Sequence, residues 1–269
     1  MNKSIKCSVC NNFGNKEKFG EYIKCNFCHT LLLEHPPTEK SMQKAFNEYA
    51  SVDDIDCTNK ALLVLKERLR VLDHLLPKKS NVLDVGCGSG IFLELALEAG
   101  YVPAAMDIAS QYVERLKKKG MQGYISMKDI PRKSFDMITA FDVIEHTTNP
   151  QKFIQDIKKK LKKNGYIMLI TPNLLGISGR ILRQKWWVFG PDGHFTLFSP
   201  NSLKFILEDN NFEIIYCKTD SLTQWFMPNN TILKKAVNKM IYVVYSLFRT
   251  HVYSHNLGDS IEILAKLKE

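Results

Sequence analysis

Asn81-Val82-Leu83-Asp84-Val85-Gly86-Cys87-Gly88-Ser89-Gly90 decides the fold of this chain. An apolar run of strand length meets a turn with glycine at every second position, and the helical spacing Ile91, Leu93, Leu95, Ala96, Leu97 begins at once. Glycine lets the backbone take conformations closed to other residues and lets a ligand come close to the main chain. Asp84 sits at the carboxyl end of the strand, where open α/β sheets bind ligands. Its carboxylate suits an ammonium group or a bound water. The spacing G-x-G-x-G departs from the G-x-G-x-x-G loop that seats a dinucleotide pyrophosphate. That loop is the nearest competing reading, and a bare strand-to-helix turn is the simplest one.

Outward from this loop the chain alternates. Gly100 closes the first helix, Val102 to Met106 reads as a second strand, and Asp107 stands at its end. An acid about twenty residues beyond the glycines is where ribose hydroxyls are gripped. Ser110 is a candidate cap for a helix to Lys119. Gly123 to Ser126 reads as a short third strand and Phe135 to Phe141 as a fourth, followed by Asp142-Val143-Ile144-Glu145-His146. Asn149-Pro150 caps and starts a helix to Lys163. Tyr166 to Ile170, Phe212 to Cys217 and Gly258 to Lys266 complete the strands. Ser199-Pro200 opens the helix to Asp209. On the amino-terminal side, Leu62, Leu65, Leu69, Leu72 and Leu76 mark a helix from Asn59 that packs on one face of the sheet and stops at Pro77.

Three of these stretches resemble, in order and spacing, the class I S-adenosylmethionine-dependent methyltransferases. They are Asp84 to Gly90, Tyr101 to Asp107 and Phe135 to His146. Asp142-Val143-Ile144-Glu145-His146 is similar to the branch that holds ubiquinone-biosynthesis O-methyltransferases and many methyltransferases of bacterial surface-polysaccharide clusters. His194…Phe198-Ser199 resembles the stretch of that branch where the chain turns back over the active site. The resemblance covers about residues 80 to 269. It implies an α/β, Rossmann-like seven-stranded sheet with helices on both faces, the last strand entering antiparallel. It also implies S-adenosylmethionine as cofactor, held by Asp84, Gly86, Cys87, Gly88, Gly90, Asp107, Ile108, Met127, Phe141 and Asp142. Met127 is expected as an apolar wall for the adenine.

Ahead of the sheet lie Cys7-x-x-Cys10 and Cys25-x-x-Cys28. Two such pairs with fourteen residues between them fit the tetrahedral thiolate set of a structural zinc ribbon. A segment this short cannot bury an adequate core, so zinc would supply much of its folding energy. His29 is a conceivable substitute for Cys28, while Cys57, Cys87 and Cys217 have no ligand spacing and read as packing residues. The expected organisation is a ribbon module at 1–35, a helical lid or linker at 36–79 with Thr38 as a cap and Tyr49 as a candidate lid, and the catalytic domain at 80–269. Insertions on the acceptor side are expected at 174–199 and 224–250. A cysteine ribbon, a proline turn and a tyrosine-bearing helix resemble the start of bacterial sugar and glycan methyltransferases, including sugar C-methyltransferases.

The 269 residues carry a net charge of +9, with lysine runs at Lys117 to Lys119 and Lys158 to Lys163. Cations at helix ends favour the helix dipole, so these read mainly as solvated termini. Nucleic acid and an anionic membrane face are the other partners such charge admits. A basic amphipathic helix from Thr231 to Phe248 is expected to pack on the domain or on a membrane surface. The longest apolar run, Met240 to Phe248, falls far short of a membrane span. With a polar, cysteine-bearing amino terminus, the expected location is the cytoplasm.

A sulfonium methyl is already activated, so catalysis reduces to aligning an acceptor and removing its proton. His194 is the first candidate base and His146 the second, with Glu145 orienting a histidine or the substrate hydroxyl. No metal-ligand set is evident in the catalytic domain. Trp186-Trp187-Val188-Phe189 reads as an aromatic acceptor wall. The acceptor expected is a hydroxyl of a sugar or glycan precursor, which would put the chain in polysaccharide biosynthesis. The alternatives are an RNA base or ribose, and a non-catalytic scaffold that has kept the fold.

Overall fold

The computed structural model describes residues 6–12, 16–50, 59–190, 193–220 and 255–269. The chain packs as two compact units, one of 1–36, 144–153 and 169–265, the other of 37–143, 154–168 and 266–269. The side chain of Tyr49 and the expected helix from 231 to 248 lie outside the described residues, as does the 224–250 insertion.

Four strands form the first sheet: β1 (Lys16–Phe19), β2 (Tyr22–Cys25), β3 (Leu31–Leu33) and β9 (Thr196–Leu197). The second sheet has seven strands, in the order β10-β11-β8-β7-β4-β5-β6. These are β4 (Asn81–Val85), β5 (Val102–Met106), β6 (Gln122–Tyr124), β7 (Phe135–Phe141), β8 (Leu161–Pro172), β10 (Phe212–Asp220) and β11 (Ser260–Leu267). β4 pairs in parallel with β5 and β7, and β5 with β6. The helices are α1 (Glu39–Ala50), α2 (Asn59–Leu75), α3 (Ile91–Glu98), α4 (Ser110–Lys118), α5 (Pro150–Lys160), α6 (Ile177–Leu182) and α7 (Pro200–Asp209).

This is the expected α/β sheet, and its core explains the alternation. Val82, Leu83, Ala105, Met137, Ile138, Ile167 and Leu169 are buried, as parallel strands covered on both faces must be. Of the α2 leucines, Leu72 is fully buried while Leu62, Leu65, Leu69 and Leu76 are half-covered. The local start signals hold at several points. The Ser41 amide donates to Thr38 Oγ1 at 3.2 Å, the Lys152 amide to Asn149 Oδ1 at 3.0 Å, and Ser199 with Ser202 forms a capping box ahead of Pro200.

Three local expectations are corrected. The cap position of α4 is Ala109 rather than Ser110, and the carboxylate of Asp107 holds the chain there by accepting the Ala109 amide at 2.9 Å. α5 ends at Lys160, and Leu161 to Lys163 belong to β8, where Lys162 pairs with Asp136 at 2.8 Å. β6 begins at Gln122 and ends at Tyr124, so it lies slightly earlier than the glycine suggested.

The larger correction concerns the amino-terminal segment, expected as a module apart. β3 pairs antiparallel with β9, in the register Leu31↔Leu197 and Leu32↔Thr196, and the Leu33 amide donates to the Phe195 carbonyl at 2.8 Å. Gln151 on α5 ties the first cysteine turn down, its side-chain amide donating to the Val9 carbonyl at 2.7 Å and to Asp209 at 2.9 Å. A three-stranded ribbon exposes an edge that would otherwise invite pairing with another chain. Here β9 covers it.

Candidate active site

Gly86 and Gly88 have positive φ, 74° and 47°. A Cβ on Gly86 would lie 2.4 Å from Val143 Cγ2, so only glycine lets the loop pass that close to the end of β7. A Cβ on Gly88 meets nothing, so this part of the loop faces open space. The Gly88 amide points instead at Asp107, donating to its carboxylate at 2.9 Å. Each Asp107 oxygen takes one backbone N–H and keeps a lone pair for a hydroxyl donor. Burial pushes this carboxyl upward, and the two backbone bonds oppose the shift. A nucleoside ribose with two adjacent hydroxyls fits this donor and acceptor set.

Asp84 lies below the loop, 3 % exposed, and accepts the Thr139 hydroxyl at 2.6 Å. Its partner was legible in principle. Thr139 is the polar residue in the apolar run Met137 to Phe141, and it lies opposite Asp84 in the parallel register. Burial pushes the Asp84 carboxyl up to about 7, opposed by the Thr139 bond and by the charge of Arg68. The guanidinium of Arg68 lies 4.5 Å over the ring of Phe141, which packs edge-on against Phe92 at 5.2 Å. Met127 is half-buried in a turn after β6, Ile108 follows Asp107, and Asp142 is exposed with φ 56°. Cys87 is buried and its thiol pushed up by desolvation, so it belongs to the packing of the loop. Gln43 was not anticipated. Its amide donates to the Ile108 carbonyl at 2.7 Å and ties α1 to this loop cluster.

In the other unit, Glu145, His146 and His194 come together with their ligating atoms within 4.8 Å of one another. The expectation that the catalytic domain holds no metal-ligand set is therefore corrected: two imidazoles and a carboxylate meet here, brought from segments about fifty residues apart. Each histidine is anchored through Nδ1. His146 donates to the Gly193 carbonyl and His194 to the Val188 carbonyl, the latter at 2.9 Å. A carbonyl only accepts, so each Nδ1 carries the proton and each neutral ring presents Nε2 as a lone pair. Glu145 is fully buried and accepts the Thr171 hydroxyl at 2.9 Å. Burial lowers both histidines. His146 falls to about 4, with the neighbouring His194 adding to the effect and the Gly193 bond opposing it. His194 is lowered too, against its bond to Val188.

The aromatic run divides. Trp186 is 1 % exposed and belongs to the core, and Phe189 packs against Phe19, Tyr22 and Trp186. Trp187 is 59 % exposed, its ring centroid 5.5 Å from that of His194. The acceptor wall expected of four residues reduces to this one indole.

The four amino-terminal cysteines are buried and their sulfurs lie together, Cys7 to Cys28 at 3.7 Å and Cys10 to Cys25 at 3.6 Å. Four thiolates at a Zn–S distance of roughly 2.3 Å stand about 3.8 Å apart, so the set fits zinc. The two knuckles repeat one backbone pattern. Asn11 donates to the Cys7 carbonyl and His29 to the Cys25 carbonyl, both at 2.9 Å and both with φ 58°. His29 is thus the exposed turn residue after its knuckle and stands outside the ligand set. The Cys28 contact lowers the Cys7 thiol to about 5, against the effect of burial, and the Val9 amide donating to Cys7 Sγ adds to the lowering.

A methyltransferase-domain family model matches residues 59–216, more than half of the chain. Two curated relatives, both ubiquinone biosynthesis O-methyltransferases, are from Pelagibacter ubique and Idiomarina loihiensis. The first is 26% identical over 153 residues, covering 51% of this chain and 63% of its own length; the second is 29% identical over 147 residues, covering 49% and 60%. The chain thus spans about six tenths of these relatives. Among solved structures, an S-adenosylmethionine-dependent methyltransferase from Archaeoglobus fulgidus aligns with TM-score 0.52 and 24% identity, over 76% of this chain and 93% of its own. One from Mesorhizobium loti aligns with TM-score 0.51 and 13% identity, over 73% and 96%. At these identities the structures speak for the fold.

Proposed function

Because the chain belongs to the methyltransferase-domain family, in its class I S-adenosylmethionine-dependent branch, we propose that it methylates a hydroxyl of a sugar or glycan precursor. When bound, S-adenosylmethionine supplies a sulfonium methyl group that any well-aligned oxygen lone pair can take. This chain's residues do the rest. Asp107 and the Gly86–Gly90 loop hold the nucleoside, with Ile108, Met127 and Phe141 as apolar neighbours and Asp84 and Asp142 as acids near the sulfonium. His194 Nε2 would accept the proton of the acceptor's hydroxyl, leaving its oxygen free to take a methyl group. The buried carboxylate of Glu145 favours the imidazolium that results. His146, lowered to about 4, is the weaker base of the pair.

The observation that carries this reading is the exposed indole of Trp187 beside the anchored His194. Flat apolar ring faces dock on such an indole, and a base within reach of the same ligand suits a hydroxyl. The names of the curated relatives favour an oxygen acceptor and point to a quinone precursor as the rival substrate. Transfer of labelled methyl to nucleotide sugars, to phenolic quinone precursors and to RNA, assayed side by side, separates these readings. Labelling of nucleotide sugars that falls by roughly 10²–10⁴-fold in His194→Ala, the scale of general-base catalysis, supports the proposal. Labelling of phenols alone, or of RNA alone, overturns the acceptor assignment. No transfer to any acceptor by protein that binds the cofactor moves the weight to a scaffold role.

A further inference from the structure

Five hydrogen bonds and one strand pairing converge on the backbone around His194, and the cysteine-bearing segment supplies Tyr22, Leu33 and the pairing strand. The Tyr22 hydroxyl donates its one proton to the His194 carbonyl at 2.8 Å, with the Gly190 carbonyl at 3.3 Å as the alternative acceptor. The next residue is held from both sides: the Leu33 amide donates to the Phe195 carbonyl, and the Phe195 amide donates to the Glu145 carbonyl, each at 2.8 Å. Thr196 and Leu197 then pair with Leu32 and Leu31. On the side-chain end, His194 Nδ1 donates to Val188 at 2.9 Å and His146 donates to Gly193. The ribbon strands therefore meet the very peptides that aim the imidazole.

We infer that Tyr22 and the β3 edge of the cysteine ribbon are positioning elements for His194, so that metal loading of Cys7, Cys10, Cys25 and Cys28 fixes the base. This rests on the reading of His194 as the base. Tyr22 is suited to the task. It is 3 % exposed, its ring packs edge-on against Phe189 at 5.7 Å, and burial pushes its hydroxyl up to about 12, so it stays a donor throughout the working range. β2, which carries Tyr22, ends at Cys25, and β3 begins two residues after His29, directly beyond the second knuckle. A ribbon whose knuckles are unliganded has too small a core to hold these strands. Loss of the metal would then release Tyr22 and β3 together. The dependence is on geometry, because a displacement near 1 Å at a reacting group can cost roughly a hundredfold in rate.

The test uses the zinc-loaded full chain and its Tyr22→Phe variant, which removes one hydroxyl and keeps the ring. In histidine-labelled protein the His194 ring resonances should shift. Turnover should fall roughly 10- to 100-fold, while KM for the cofactor changes by less than about twofold, since Asp107 and the glycine loop are untouched. Unchanged His194 resonances with unchanged turnover would overturn the inference. A second measurement does not depend on any variant folding: amide exchange at Phe195–Leu197 in the parent, before and after chelation of zinc. Faster exchange there on metal removal, with Leu83–Val85 still protected, supports the coupling. Protection at Phe195–Leu197 that survives demetallation contradicts it. Full turnover by His194→Ala would sink the base assignment alone, and the resonance and exchange readouts would still decide whether the ribbon positions this residue.

Discussion

Asp84 sits 3 % exposed under the glycine loop with its carboxyl raised to about 7, and this has a measurable consequence. A cation bound over the loop favours the ionised form, so below that pKa the binding of a sulfonium releases a proton and is weakened by the cost of doing so. Affinity for S-adenosylmethionine should fall as pH drops through about 7. The neutral thioether product should feel the change less. Calorimetry in buffers of different ionisation enthalpy reads the proton release directly, and a pH-independent affinity would contradict the role of Asp84. The histidines give a second acid limb, in turnover rather than in affinity. In the proposed role His194 acts as a neutral base, and burial lowers it below the usual 6.5, so turnover should be level above that value and decline only as acid protonates the ring below it. An acid limb centred above 6.5 would exclude a buried His194 as the titrating group.

At the scale of elements, the caps and strand ends are local matters, and these the sequence reveals well. Ser199-Pro200, Asn149-Pro150 and Thr38 each begin a helix where the residue types say one should, because the donor, the acceptor and the proline lie within four positions of each other. Ser199→Ala should cost about 1 kcal/mol in a denaturation midpoint experiment, and no change would mean that water replaces the cap. Gly86→Ala should be more severe. The left-handed φ costs roughly 1–2 kcal/mol for a residue with a Cβ, and the Val143 contact at 2.4 Å adds to it. What stayed hidden is non-local. Nothing in Leu31-Leu32-Leu33 says that its partner is Thr196-Leu197, and the pairing is one of the contacts that make the ribbon part of the unit that holds His194. Trp186 and Trp187 are equivalent as sequence, yet one lies in the core and the other faces solvent. Glu145 and His146 were legible as a motif, but their meeting with His194 required the chain to return.

Among the described residues, several of the lysines behind the net charge of +9 stand at helix ends. Lys117 and Lys118 close α4, and Lys158 to Lys160 close α5, where cations interact favourably with the helix dipole. Lys160 departs from this pattern: it is buried and donates to the Ile130 carbonyl. Among the described residues, no helix is long and apolar enough to cross a membrane. Chelation should lower the melting temperature, since liganded cysteines contribute folding energy outright; a melting curve indifferent to zinc would mean that the four thiols pack without it. The central claim is the cofactor site, and calorimetric titration of the zinc-loaded protein with S-adenosylhomocysteine, repeated with Asp107→Ala, tests it most directly. Binding by the parent that is weakened by about tenfold or more in the variant is the predicted result, as loss of a charge-assisted hydrogen-bond acceptor requires. A well-folded parent that does not bind, or a variant that binds as tightly, would contradict it.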